Sequence, residues 1–110
     1  MKIVNLTPHE ITFCTATGTV LRTIPASGTV ARVEKTVIKV GEIDGVSVYN
    51  TFYSNVSGLP EPQKGTVFIV SSLTAEAITD RDDVYVPSIS VRDENGKILG
   101  CQGIGAPLQF

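Results

Sequence analysis

Apolar positions along this chain recur in short runs, broken about every 8–12 residues by Gly, Pro, Asn or Asp. Val and Thr dominate the runs, and both favour pleated, half-buried surface. Residues 2–4 and 9–14 read as strands separated by Asn5-Leu6-Thr7-Pro8. Pro8 cannot donate to a ladder, so this segment bends or lies on an edge. Ile11 and Phe13 fall on one face, Glu10 and Thr12 on the other. Thr15 to Thr19 reads as a hairpin loop with Gly18 at positive φ, and Val20 to Ile24 returns as a strand. Pro25 to Gly28 turns the chain again.

Residues 29–40 contain a contradiction. Ala31 and Val33 put the apolar face on odd numbers, whereas Ile38 and Val40 put it on even numbers. A strand changes face only through an extra residue or a bend, expected here near Glu34-Lys35-Thr36. Asp44-Gly45 then predicts a two-residue turn with positive φ at both positions, pairing Ile43 with Val46 and continuing to Phe52-Tyr53. Pro60 and Pro62 stiffen the loop from Ser54 to Lys64.

The most apolar run is Val67-Phe68-Ile69-Val70, which predicts an interior strand covered on both faces. Ser71 or Ser72 can cap a helix that begins at Leu73 and ends near Asp80. Residues 84–87 and 88–91 are extended. Asn95-Gly96 predicts a two-residue hairpin that sets Glu94 against Lys97 and Arg92 against Leu99. About eight to ten short strands and one short helix follow. The class is mainly β, an antiparallel β-sandwich or partly closed barrel.

Composition narrows this further. A chain of 110 residues makes one domain, 1–110. With 42% hydrophobic and 18% charged residues it folds rather than staying disordered. A net charge of -2 gives no long-range attraction for DNA or RNA polymers. No run reaches the roughly 20 apolar residues of a membrane helix. Met1-Lys2-Ile3-Val4 is too short for a targeting core, so a cytoplasmic location is expected. Cys14 and Cys101 should then be reduced and packed.

Four polar clusters could carry chemistry. Ser71 and Ser72, at a helix start, offer donors to a phosphate or carboxylate, although no glycine-rich phosphate loop accompanies them. Arg81, between Asp80 and Asp82, can fork onto a phosphate or pair with neighbouring acids. Asn5, Thr7 and His9 can reach a base or ribose edge, or close a local turn. Arg92, with Arg32 and Arg22, supplies further positive groups. His9 is the only histidine. Catalytic triads and zinc sites need company for it, so neither an enzyme nor a metal or other cofactor is expected.

Asn5-Leu6-Thr7-Pro8-His9, Gly58-Leu59-Pro60-Glu61-Pro62, Gly65 to Ser72, Arg81-Asp82-Asp83 and Val91-Arg92-Asp93…Gly96…Gly100-Cys101 together resemble a family of small phage and prophage proteins. The resemblance implies a phage-encoded accessory protein in the host cytosol; it implies no particular mechanism and carries over no functional residues. Proteins of this kind often act against host immunity. One strategy is to sequester a nucleotide second messenger, such as a cyclic dinucleotide or a cyclic ADP-ribose isomer. On the polar clusters of the chain itself, and not on the resemblance, the ligand residues would be Asn5, Thr7, His9, Ser71, Ser72, Arg81, Asp82 and Arg92, and a homo-oligomer would enlarge the pocket of so small a domain. The alternative is a protein–protein interaction module that inhibits a host protein, or a virion accessory protein.

Overall fold

A computed structural model describes residues 1–106. It holds strands β1 (Lys2–Asn5), β2 (Ile11–Cys14), β3 (Val20–Ile24), β4 (Lys35–Ile43) and β5 (Val46–Tyr53). After these come β6 (Thr66–Ile69), helix α1 (Ser72–Glu76), β7 (Val84–Arg92) and β8 (Ile98–Gly105). The mainly β class and the single short helix agree with the sequence. A six-stranded sheet runs in the order β1-β6-β7-β8-β2-β3, and β4 and β5 form a separate two-stranded sheet.

Antiparallel pairing holds for β2–β3, β4–β5 and β7–β8. The main sheet is nevertheless mixed, because β1–β6, β6–β7 and β2–β8 run parallel. The reason lies in the apolar run. Antiparallel neighbours can be joined by a tight turn, but β6 and β7 are joined by α1, which crosses over one face of the sheet. A strand covered by such a crossover needs apolar residues on both faces, and β6 has them.

Side chains of β6 and of Val70, which follows it, serve two cores. Phe68 and Val70 pack with Leu6, Ala31, Ala75 and Val84 beneath the helix. Ile69, on the opposite face, packs with Ile11 of β2 and Cys101 of β8, flanked by Ile3, Phe13 and Ile104. The sheet is therefore curled in a sandwich-like way, with β1 and β6 facing β2 and β8. Each fully buried large side chain among them, such as Leu6, Phe68 or Ile69, contributes about 1.5–3 kcal/mol. Gly100 lets β8 approach β2 closely, since a Cβ there would lie 2.4 Å from the Thr12 carbonyl oxygen. Cys14 and Cys101 are free thiols and buried, and burial pushes the Cys101 pKa up.

Several local expectations shift. The helix begins at Ser72 and ends at Glu76, one residue earlier and well short of Asp80. Its last backbone bonds, from Ala77 N–H to Thr74 O and Ile78 N–H to Ala75 O, are tight three-residue closures. The break expected near Glu34-Lys35-Thr36 is there: Arg32 makes only an isolated bridge to Ser57, and β4 begins at Lys35. A second irregularity, a register slip between Lys39 and Gly41, lies within β4. The Asn95-Gly96 turn is longer than two residues. The Asp93 carboxylate accepts from Asn95 N–H and Lys97 N–H, both at 2.9 Å, and this local turn sets Arg92 against Ile98 instead of Leu99.

The Asp44-Gly45 turn is as read from the sequence, with φ of 52° and 78°. It closes the tip of an arm, β4–β5, whose strands pair with each other and with no other strand. The Cα radius of gyration is 16.8 Å, against about 13 Å for a compact domain of this length. The projecting arm accounts for the excess.

Candidate functional site

The Asn5-Leu6-Thr7-Pro8-His9 motif forms a closed turn between β1 and β2. Asn5 is buried, and its amide is fully engaged. Nδ2 donates to His9 O at 2.9 Å and to Ile24 O at 3.3 Å. Oδ1 accepts from Thr7 N–H at 2.9 Å and from Thr7 Oγ1 at 2.7 Å. Thr7 Oγ1 also lies 2.9 Å from His9 O, so its single proton serves one of the two acceptors. Asn5 and Thr7 thus organise backbone. His9 lends the turn its carbonyl, while its own position is exposed.

Ser71 is the N-cap of α1. Its Oγ accepts from Thr74 N–H at 3.4 Å and donates to Thr74 Oγ1 at 3.0 Å, and Thr74 Oγ1 donates to Ala31 O at 3.2 Å. The cap therefore ties the helix to the segment before β4. Ser72 is exposed as the first helical residue. A helix of five residues has little dipole to offer an anion.

Arg81 is held in place. Nε donates to Asp83 Oδ1 and Nη2 to Asp83 Oδ2, both at 2.8 Å, and Nη2 also donates to Pro60 O at 3.0 Å. The carboxylate beside it raises the Arg81 pKa, and the guanidinium holds Asp83 below the usual carboxylate range. This clamp fastens the Gly58–Pro62 loop to the start of β7, which accounts for two of the sequence motifs at once. Asp82 is exposed. Arg92 donates through Nη1 to Gly96 O at 2.7 Å, closing its own hairpin loop.

One cleft of about 620 Å³ brings part of this set together. It lies where the β1–β2 turn, the segment before β4 and the start of α1 meet. Pro8, Arg32, Glu34, Ser57, Ser71 and Leu73 are among its lining residues. Arg32 is anchored through its backbone, which exchanges hydrogen bonds of 2.9 Å with Ser57 in both directions. Its guanidinium forms no ion pair among the described residues. Of the eight residues singled out in sequence, only Ser71 lines the cleft, and Asn5, Thr7 and His9 contribute through neighbouring Pro8. Ser72, Arg81, Asp82 and Arg92 lie outside it. Ser57, Leu73 and Glu34 join it through the Arg32–Ser57 bridge and the helix position, pairings that no local sequence pattern announces.

Among the described residues, no group of three or more His, Cys, Asp or Glu is placed to hold a metal ion. No helix among them is long and apolar enough to cross a membrane. No protein-family model, curated protein or solved structure matches this chain.

Proposed function

We propose that the protein is a non-catalytic binding protein that sequesters a small phosphate-bearing ligand in the cleft beside Arg32. The observation that carries this reading is an unpaired guanidinium at the rim of a cleft whose volume falls within the ~300–1,000 Å³ of small-molecule sites. Arg32 would fork onto a phosphate. Ser57 and Asn55 would add hydrogen bonds, and Val33 and Leu73 would cover the less polar part of the ligand. The lining holds no aromatic ring. A nucleobase would therefore be held by hydrogen bonds and aliphatic contact rather than by ring stacking.

The motif resemblance to phage accessory proteins supplies the ligand class, a cyclic dinucleotide or a cyclic ADP-ribose isomer acting as an immune messenger. It also supplies the setting, the cytosol of an infected cell. The net charge of -2 supports a small ligand over a nucleic-acid polymer. A thermal-shift screen of the full chain against cyclic dinucleotides and ADP-ribose derivatives tests the reading. At least one should raise the melting temperature, and Arg32→Ala should remove that rise. A flat response across the screen would overturn it.

A further inference from the structure

The cleft holds two opposite charges that the fold leaves free. Ala31 is buried, Arg32 exposed, Val33 half-buried and Glu34 exposed. This is the alternation of extended chain, so Arg32 and Glu34 project to the same side. Both line the cleft. Each is anchored through its backbone alone. Arg32 exchanges two bonds with Ser57. Glu34 N–H donates to Ser54 Oγ at 2.8 Å, and Glu34 O accepts from Ser54 N–H at 2.9 Å. Neither side chain forms an ion pair with the other or with any other described residue. Elsewhere the fold engages such groups itself, Arg81 on Asp83, Lys39 on Glu42 and Arg92 on Gly96 O.

A free carboxylate beside a phosphate site narrows what can bind there. It repels a second phosphate placed close to it. It attracts donors, because an ionised carboxylate only accepts, and its two oxygens can take two donors at once. Those donors must lie a short step from the phosphate. Residues two apart on extended chain are separated by roughly 6.6 Å, a spacing comparable to that between a 5′-phosphate and the 2′- and 3′-hydroxyls of the same ribose. A ribose diol also presents its two O–H groups side by side, as the two carboxylate oxygens require.

We propose that Glu34 is the specificity determinant of the cleft, accepting from both hydroxyls of a free ribose diol while Arg32 holds the phosphate. The assignment rests on the reading of the cleft as a phosphate site and narrows its ligand to the ADP-ribose class. A 3′,5′-linked cyclic dinucleotide has the 3′-oxygen of each ribose esterified. It therefore offers Glu34 one hydroxyl and brings a second phosphate within reach of its repulsion. Each hydrogen bond to the ionised carboxylate is stronger than one between neutral groups, so losing the charge should be felt in affinity.

Calorimetric titration of ADP-ribose, cyclic di-GMP and inorganic pyrophosphate into the wild type, Glu34→Gln and Arg32→Ala tests this. The wild type should bind ADP-ribose at least about tenfold more tightly than either other probe. Glu34→Gln should weaken ADP-ribose about tenfold and tighten pyrophosphate about threefold. A variant that had merely loosened the cleft would weaken both. The melting temperature of Glu34→Gln without ligand should match the wild type's, since the side chain has no partner in the fold. If Glu34→Gln moves both probes in the same direction or moves neither, or if the wild type prefers cyclic di-GMP, the diol assignment is overturned, while binding lost in Arg32→Ala still upholds the phosphate site. Binding of none of the three probes overturns both.

Discussion

Asn5 Nδ2 donates to the Ile24 carbonyl at 3.3 Å, tying the end of β1 to the end of β3, the two edge strands of the curled sheet. The same side chain accepts from Thr7 and donates to His9 O, so one buried amide fixes both a turn and a seam. Asn5→Ala should strip this partner from Thr7 N–H and from the Ile24 carbonyl, while His9 O keeps Thr7 Oγ1, and each orphaned buried group costs about 1–3 kcal/mol. We expect Asn5→Ala to lose about 3 kcal/mol or more in urea unfolding. A stable Asn5→Ala protein with altered ligand affinity would instead make Asn5 a ligand residue.

Arg81 and Asp83 form a two-pronged pair with side chains only 15% and 14% exposed. Asp83 is held below its unfolded pKa by Arg81. A carboxyl lowered in this way stabilises the fold above its unfolded pKa, and that contribution fades as pH falls through the folded value. Stability measured by denaturant titration should therefore fall in the wild type between about pH 5 and 2, and fall less steeply in Asp83→Asn. Arg81→Ala should lower the thermal midpoint at pH 7 by about 5 °C. Raising pH from 5 to 9 should leave the pair intact, because Arg81 is shifted upward.

Ile89 lies in β7 with φ of 61° and is 64% exposed. A β-branched residue at positive φ is strained by ~1–3 kcal/mol, and the exposed side chain recovers little of that by packing. Ile89→Gly relieves the strain but loosens the unfolded chain by ~0.5–1 kcal/mol. A net gain of about 1 kcal/mol is expected. Ile89→Val, which keeps the branch, should gain nothing. Chemical denaturation of the three proteins side by side reads the difference.

The strands, the Asp44-Gly45 turn and the interior character of residues 66–70 were legible in the sequence because each rests on local alternation or turn chemistry. The parallel partners of β6 were not. They depend on a helical crossover whose five residues leave almost no periodic signal. Ser71 was recognisable as a cap, and a cap is what it is. Arg81 pairs with a neighbouring acid, Asp83, one of the two outcomes its sequence setting allows, whereas its bond to Pro60 O and that of Arg92 to Gly96 O go to backbone atoms that a sequence does not mark as partners. Arg32 emerged as the open guanidinium only once the bridge to Ser57 placed it at a cleft.

Isothermal titration calorimetry addresses ligand binding at this cleft most directly. A cyclic dinucleotide and a cyclic ADP-ribose isomer would be titrated separately into the wild type, Arg32→Ala and Arg92→Ala. The cleft reading predicts saturable binding of at least one probe to the wild type, weakened at least about tenfold in Arg32→Ala and unchanged in Arg92→Ala. Binding that survives the loss of Arg32, or that depends on Arg92 instead, would contradict it.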